Sequence, residues 1–95
     1  MEFEWDGAKA ASNLDKHGVG FEEALTVFDD PLATIFDDEE HSNREPREII
    51  VGHSDQGRLV LVIFTERSER VRIISARPAT RRERTDYEEN ARFSR

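Results

Sequence analysis

Leu59 to Phe64 is an unbroken, largely β-branched apolar run, the composition of a strand covered on both faces. Val71 to Ala76 reads as a second strand in which polar and apolar residues mix. The wholly polar Thr65-Glu66-Arg67-Ser68-Glu69-Arg70 reads as the hairpin connection between them. Five arginines, Arg58, Arg67, Arg70, Arg72 and Arg77, therefore lie on or beside the most rigid piece of the chain.

The flanking segments supply what covers that hairpin. Glu2 to Trp5 alternates polar and apolar, a short strand with Phe3 and Trp5 facing the core. Asp6 is placed as the N-cap of a helix over about residues 7–17, with Gly18 as its stop. At about 100° per residue, Ala10, Ala11 and Leu14 form its core stripe, and Lys9, Asn13, Lys16 and His17 a neighbouring cationic edge. Phe21, Ala24, Leu25 and Phe28 recur at helical spacing until Asp29-Asp30-Pro31 ends the second helix.

Strands follow at Leu32–Phe36 and Arg47–Gly52, separated by an acidic exposed loop, Asp37 to Asn43. Ser54 to Gly57 is a turn. Thr80-Arg81-Arg82-Glu83 is a capping box opening a last helix that reaches about Arg92. That helix has only Tyr87, Ala91 and Phe93 to bury, so it is weakly anchored. The order β-α-α-β-β-β-β-α predicts one α+β domain over residues 1–95: two N-terminal helices packed on an antiparallel β-meander, with a short C-terminal helix and one sheet face partly open.

Charge sharpens the functional question. The net charge is −7, yet residues 1–48 hold 14 acids against 4 bases, a balance of −10, while residues 49–95 hold 10 arginines against 7 acids, a balance of +3. An all-arginine basic half suits bidentate phosphate recognition, and a solvated mixed-charge surface is the plainer alternative. With no cysteine there is neither a disulfide framework nor a Cys-based zinc site. No apolar stretch is long enough to span a membrane, and the start, MEFEWDG, is not a signal peptide, so a cytoplasmic protein is expected. His17, His41 and His53 lack metal-site spacing, and no metal or cofactor is expected.

The stretch WDGAKAASNLDKHGVGFEEALTVFDD, followed by GRLVLVIFTER, RIISAR and the trailing Glu83, Arg84 and Tyr87, resembles the ordered motifs of BrnT-type toxins over nearly the whole chain. The resemblance implies a RelE-like fold and ribonuclease activity within a type II toxin–antitoxin pair, inhibiting translation and growth. It also implies an antitoxin with a ribbon-helix-helix DNA-binding part, through which alone the pair would reach operator DNA. Pro78 stands where a basic residue is expected in that family, which implies a weaker grip on RNA.

Metal-free RNA cleavage needs a base for the 2′-hydroxyl, positive charge for the phosphorane-like transition state and an acid for the leaving oxygen. His17 and Glu66 are the candidate acid and base, and Arg67 and Arg77 the charge; Lys9, Lys16, Arg72, Arg84 and Tyr87 would hold the RNA. Each has a plainer role open to it. His17 can serve the helix C-terminus, Glu66 can pair with Arg67 or Arg70, and the lysines can be solvated surface. Arg72 and Arg77 are an odd number apart, so an unbulged strand sends them to opposite faces. Serving one site then requires Arg77 to have left the sheet, which is the expectation. The rival function is a non-catalytic module that docks an acidic or amphipathic antitoxin segment on its arginine surface and acts as a co-repressor or has lost toxicity; the net acidity favours it.

Overall fold

The apolar run becomes β4 (Leu59–Arg67), joined by β1 (Glu2–Glu4), β2 (Thr34–Asp37), β3 (Glu48–His53) and β5 (Arg70–Pro78). The strands are ordered β1-β5-β4-β3-β2, which puts β4 in the middle. The structure, a computed structural model, describes residues 1–41 and 45–93, without the side chains of His41 and Phe93. Ser42 and Asn43 of the expected acidic loop, and the packing expected of Phe93, lie outside that description.

The middle position explains the composition of β4. Val60, Val62 and Phe64 point to one core, and Leu59 and Leu61 to a second on the opposite face. Each such burial contributes about 1.5–3 kcal/mol. Over the first face lie α1 (Gly7–His17) and α2 (Phe21–Thr26), the latter continued by a 3-10 turn at Val27–Asp29. Phe3, Phe28 and Phe64 stack edge to face with centroids 5.1 and 5.0 Å apart, so β1, the turn after α2 and β4 share one aromatic column. On the second face, α3 (Arg81–Phe93) packs against β3 and buries Tyr87 among Val51, Leu59 and Leu61.

The helix ends are where the sequence places them. Asp6 accepts from Lys9 N at 3.0 Å, and Gly18 turns left-handed at φ 70°. Thr80 and Glu83 bond each other's backbone N–H, at 2.8 and 3.2 Å.

Four expectations are corrected. The sheet is mixed rather than an antiparallel meander: β1 runs parallel to β5, pairing Glu2 with Arg70 and Glu4 with Arg72, so opposite charges meet in register. The polar stretch 65–70 is mostly strand, because Ser68 and Glu69 alone make the turn, both at positive φ as a two-residue hairpin requires. In α1 the core stripe rotates: Leu14 is exposed, and Asn13 is the buried residue.

The reason for that rotation is an unfinished strand edge. β1 covers β5 only at residues 70–72. Farther along, the Asn13 amide takes the place of a neighbouring strand: Nδ2 donates to Ala76 O at 2.8 Å, and Ala76 N donates to Oδ1 at 3.1 Å. A second Nδ2 bond, to Val19 O at 2.9 Å, ties the same side chain to the link between α1 and α2.

The fourth correction concerns Arg77, which stays in β5 opposite Leu61. Between Ile63↔Ser75 and Phe64↔Ile73 the ladder shifts by one residue, and Ile74 is left over as a bulge. Parity then reverses. Ile73 and Ala76 both face the first core, and Arg72 and Arg77 share the other face without either leaving the sheet.

Candidate nucleic-acid interface

The bulge assembles a cationic face. Arg67, Arg70, Arg72 and Arg77 lie on the α3 side of the sheet, where α3 packs on β3 and, through Tyr87, on Leu59 and Leu61 at the start of β4. Arg67 stands directly opposite Arg70, an unfavourable cross-strand pair on its own. Glutamates offset it. Arg67 Nη2 meets Glu45 Oε2 at 2.8 Å, Arg70 lies 3.5 Å from Glu2 and 3.6 Å from Glu4, and Arg72 Nη1 meets Glu4 Oε2 at 2.8 Å. The Arg72 guanidinium holds the Glu4 carboxyl below its ordinary range.

Arg77 is the most tightly held. Its two terminal nitrogens donate to the two oxygens of Glu83 at 2.8 Å each, and Nη1 also donates to Pro78 O at 3.2 Å. That fork and the Thr80 bonds pull the Glu83 carboxyl from its ordinary 4.5 to about 2. A carboxyl so depressed contributes stability that is complete above about pH 4.5 and lost as pH falls towards 2. Allowing for solvent screening at these partly exposed groups, the contribution is about 1–2 kcal/mol. Thermal unfolding followed from pH 7 to pH 2 should therefore show the gap between the native protein and Glu83→Gln closing below about pH 4.5. A gap that persists unchanged at pH 2 would contradict this account.

Around this face the expected residues divide. Asn13 faces the β5 edge and Ala10 the first core, so helical geometry carries Lys9 and Lys16 to the side of Asn13 away from that core. Both lysines are exposed, as are His17 and Arg84, and none of the four side chains has an ion-pair partner among the described residues. The cations free to meet a phosphate are thus on the helices, while those of the strands are already paired.

Glu66 is not with them. It pairs across the ladder with core-facing Val71, so it emerges on the helix side of the sheet, opposite to Arg67 and Arg72. There it joins Glu48, whose carboxyl is raised by burial and by the charges of Glu66 and Asp37. Nor does it meet His17. Gly18 O accepts from Arg58 at 2.7 Å at the start of β4, and Glu66 lies seven residues beyond Leu59, roughly 23 Å along a strand. One phosphate cannot touch both.

Tyr87 serves the fold. Its ring is buried, and its hydroxyl donates to Asp30 Oδ2 at 2.6 Å with His53 Nδ1 at 3.3 Å. Burial and the Asp30 charge push the phenol upward. Asp30 is itself disfavoured by burial, but bonds from Tyr87 and from the backbone N–H of His53 and Leu32 outweigh that and keep its carboxyl low. Close approach here depends on Gly52, where a Cβ would lie 2.9 Å from Ala33 Cβ and 3.0 Å from Asp30 Oδ2. Arg58, too, is structural: it clamps buried Glu23 through Nε at 2.7 Å and Nη2 at 2.6 Å. Nothing local in the sequence marks the Tyr87–Asp30 and Arg58–Glu23 pairs.

The fold and site define a small α+β domain with a strand-borne, glutamate-paired arginine face and, among the described residues, unpaired cations on its helices. The comparisons narrow it. The family described as "Ribonuclease toxin, BrnT, of type II toxin-antitoxin system" matches residues 5–83, and the chain belongs to that family. Among solved structures it is similar to the 1.1 Å crystal structure of the Brucella abortus ribonuclease toxin BrnT, at 26% identity and a TM-score of 0.65, over 85% of this chain and 99% of that one. No curated protein matches at a significant level.

Proposed function

We propose that this chain is a RelE-like endoribonuclease of the cytoplasm that cleaves RNA without a metal ion and so inhibits translation. Its partner is an antitoxin whose ribbon-helix-helix part reaches operator DNA. The observation that carries the catalytic reading is the bulge at Ile74, which puts Arg72 and Arg77 on one face of the sheet. Phosphate would dock on the free lysines and Arg84, with Arg72 adding to their charge. Arg77 would turn from Glu83 to the non-bridging oxygens as negative charge develops there. His17, one helical turn beyond Asn13 and so towards the Arg77 end of β5, is the candidate proton-transfer group on the helix side of that charge. Attack by the substrate's own 2′-hydroxyl asks of the protein only proton transfer and positive charge at the phosphate.

Single-stranded RNA incubated with the pure protein in EDTA should yield 2′,3′-cyclic phosphate ends. Arg77→Lys, which keeps charge but loses the fork, should cut the rate by about 10²–10³-fold. Glu83→Gln should leave cleavage intact. Products with 5′-phosphate ends that form only with a divalent ion would sink the mechanism.

The second reading, a non-catalytic co-repressor, draws on one observation: each of the four arginines on this face already has a glutamate partner. It is favoured if expression alone fails to arrest growth and the pure protein leaves RNA intact.

A further inference from the structure

Away from the arginine face, at the other edge of the sheet, β2 has β3 on one side and no strand on the other among the described residues. Of five large apolar residues exposed among the described residues, three belong to this corner: Leu32 at 45%, Ile35 at 53% and Phe36 at 46%. Edge strands are usually guarded by lysine, proline or a bulge, and Thr34-Ile35-Phe36-Asp37 has none of these. Beside it a cleft of about 520 Å³ opens between β2 and α3, floored by Phe36, Val51 and Tyr87 and rimmed by Asp86 and Glu89.

We infer that this edge and cleft take up an extended, cationic segment of the antitoxin, which adds to β2 as a sixth strand. The inference rests on the toxin–antitoxin reading and names where and how that partner binds. Backbone bonds to β2 would supply affinity, and alternate side chains would enter the cleft. An apolar side chain there covers Phe36 and Tyr87, while lysine or arginine meets Asp86 and Glu89. The acidic rim decides the occupant. A second copy of this chain, joined edge to edge, would set Asp86 and Glu89 beside their own like, and a nucleic acid would meet the same repulsion. A basic strand meets neither obstacle.

Purified cognate antitoxin, titrated against the native protein and two variants, tests this. Phe36→Arg blocks the cleft with like charge. Asp86→Lys with Glu89→Lys reverses the rim on an exposed helix face and so serves even if the first variant folds poorly. Each is expected to weaken the complex about 30-fold or more, with unfolding temperature held within about 3 °C. Hydrogen exchange should show the amides of Thr34–Asp37 protected only in the complex. If antitoxin binds both variants as tightly as the native protein and leaves β2 unprotected, the docking inference fails while the toxin–antitoxin reading stands. If antitoxin does not bind the native protein at all, that reading fails, and the inference with it.

Discussion

Asn13→Ala is expected to remove about 3–5 kcal/mol of folding stability, a large share of the 5–15 kcal/mol typical of a domain. The side chain is only 7% exposed, and all three of its bonds go to backbone groups. Truncation leaves the Ala76 N–H, the Ala76 carbonyl and the Val19 carbonyl without their partner, and each such loss costs roughly 1–3 kcal/mol. The gain in helix propensity, at most about 0.7 kcal/mol, is too small to compensate. Urea unfolding of both proteins measures the difference. A cost below about 1 kcal/mol would show that water or a neighbour replaces the amide, and the strand-edge role would have to be abandoned.

Arg58→Ala should be nearly as damaging, for a different reason. The Glu23 carboxylate is 4% exposed and takes its bonds from Arg58 and from Ser54 Oγ at 2.7 Å. Removing the guanidinium strands a buried charge, which typically costs about 3–5 kcal/mol. Pairing Arg58→Ala with Glu23→Gln neutralises the stranded group, so the double variant should recover much of the loss, with a coupling energy of about 2 kcal/mol or more. Additive single effects would mean that the pair is not an energetic unit.

What could be read in advance was what depends on nearby residues. Capping at Asp6, the stop at Gly18, the Thr80–Glu83 box and the Phe21–Phe28 stripe are decided within a turn or two of chain, and they stand as expected. The apolar run of β4 likewise announced a strand covered on both faces. The tight turn at Ser68 and Glu69 was a local miss; most of the other failures involve distant partners. Asn13 is buried because β5 has an uncovered edge, a fact set 63 residues away. Tyr87 finds Asp30 across 57 residues. The bulge did leave a trace, since adjacent Ile73 and Ile74 break the alternation of β5, and that break was the available sign that Arg72 and Arg77 share a face. Of the expected site, Arg72 and Arg77 share a face, whereas Glu66 goes to the other face and Tyr87 into the second core.

The parallel seam between β1 and β5 sets a clock on biosynthesis. Glu4 meets Arg72 across 68 residues, so at ordinary elongation rates the first strand waits roughly 3–14 s for its partner to be made. The β4–β5 hairpin, closed by two residues, needs only microseconds once it leaves the ribosome. A nascent chain of this kind therefore carries Phe3 and Trp5 in water for seconds, in reach of chaperones. Pulsed hydrogen exchange during refolding should find β4 and β5 protected before β1.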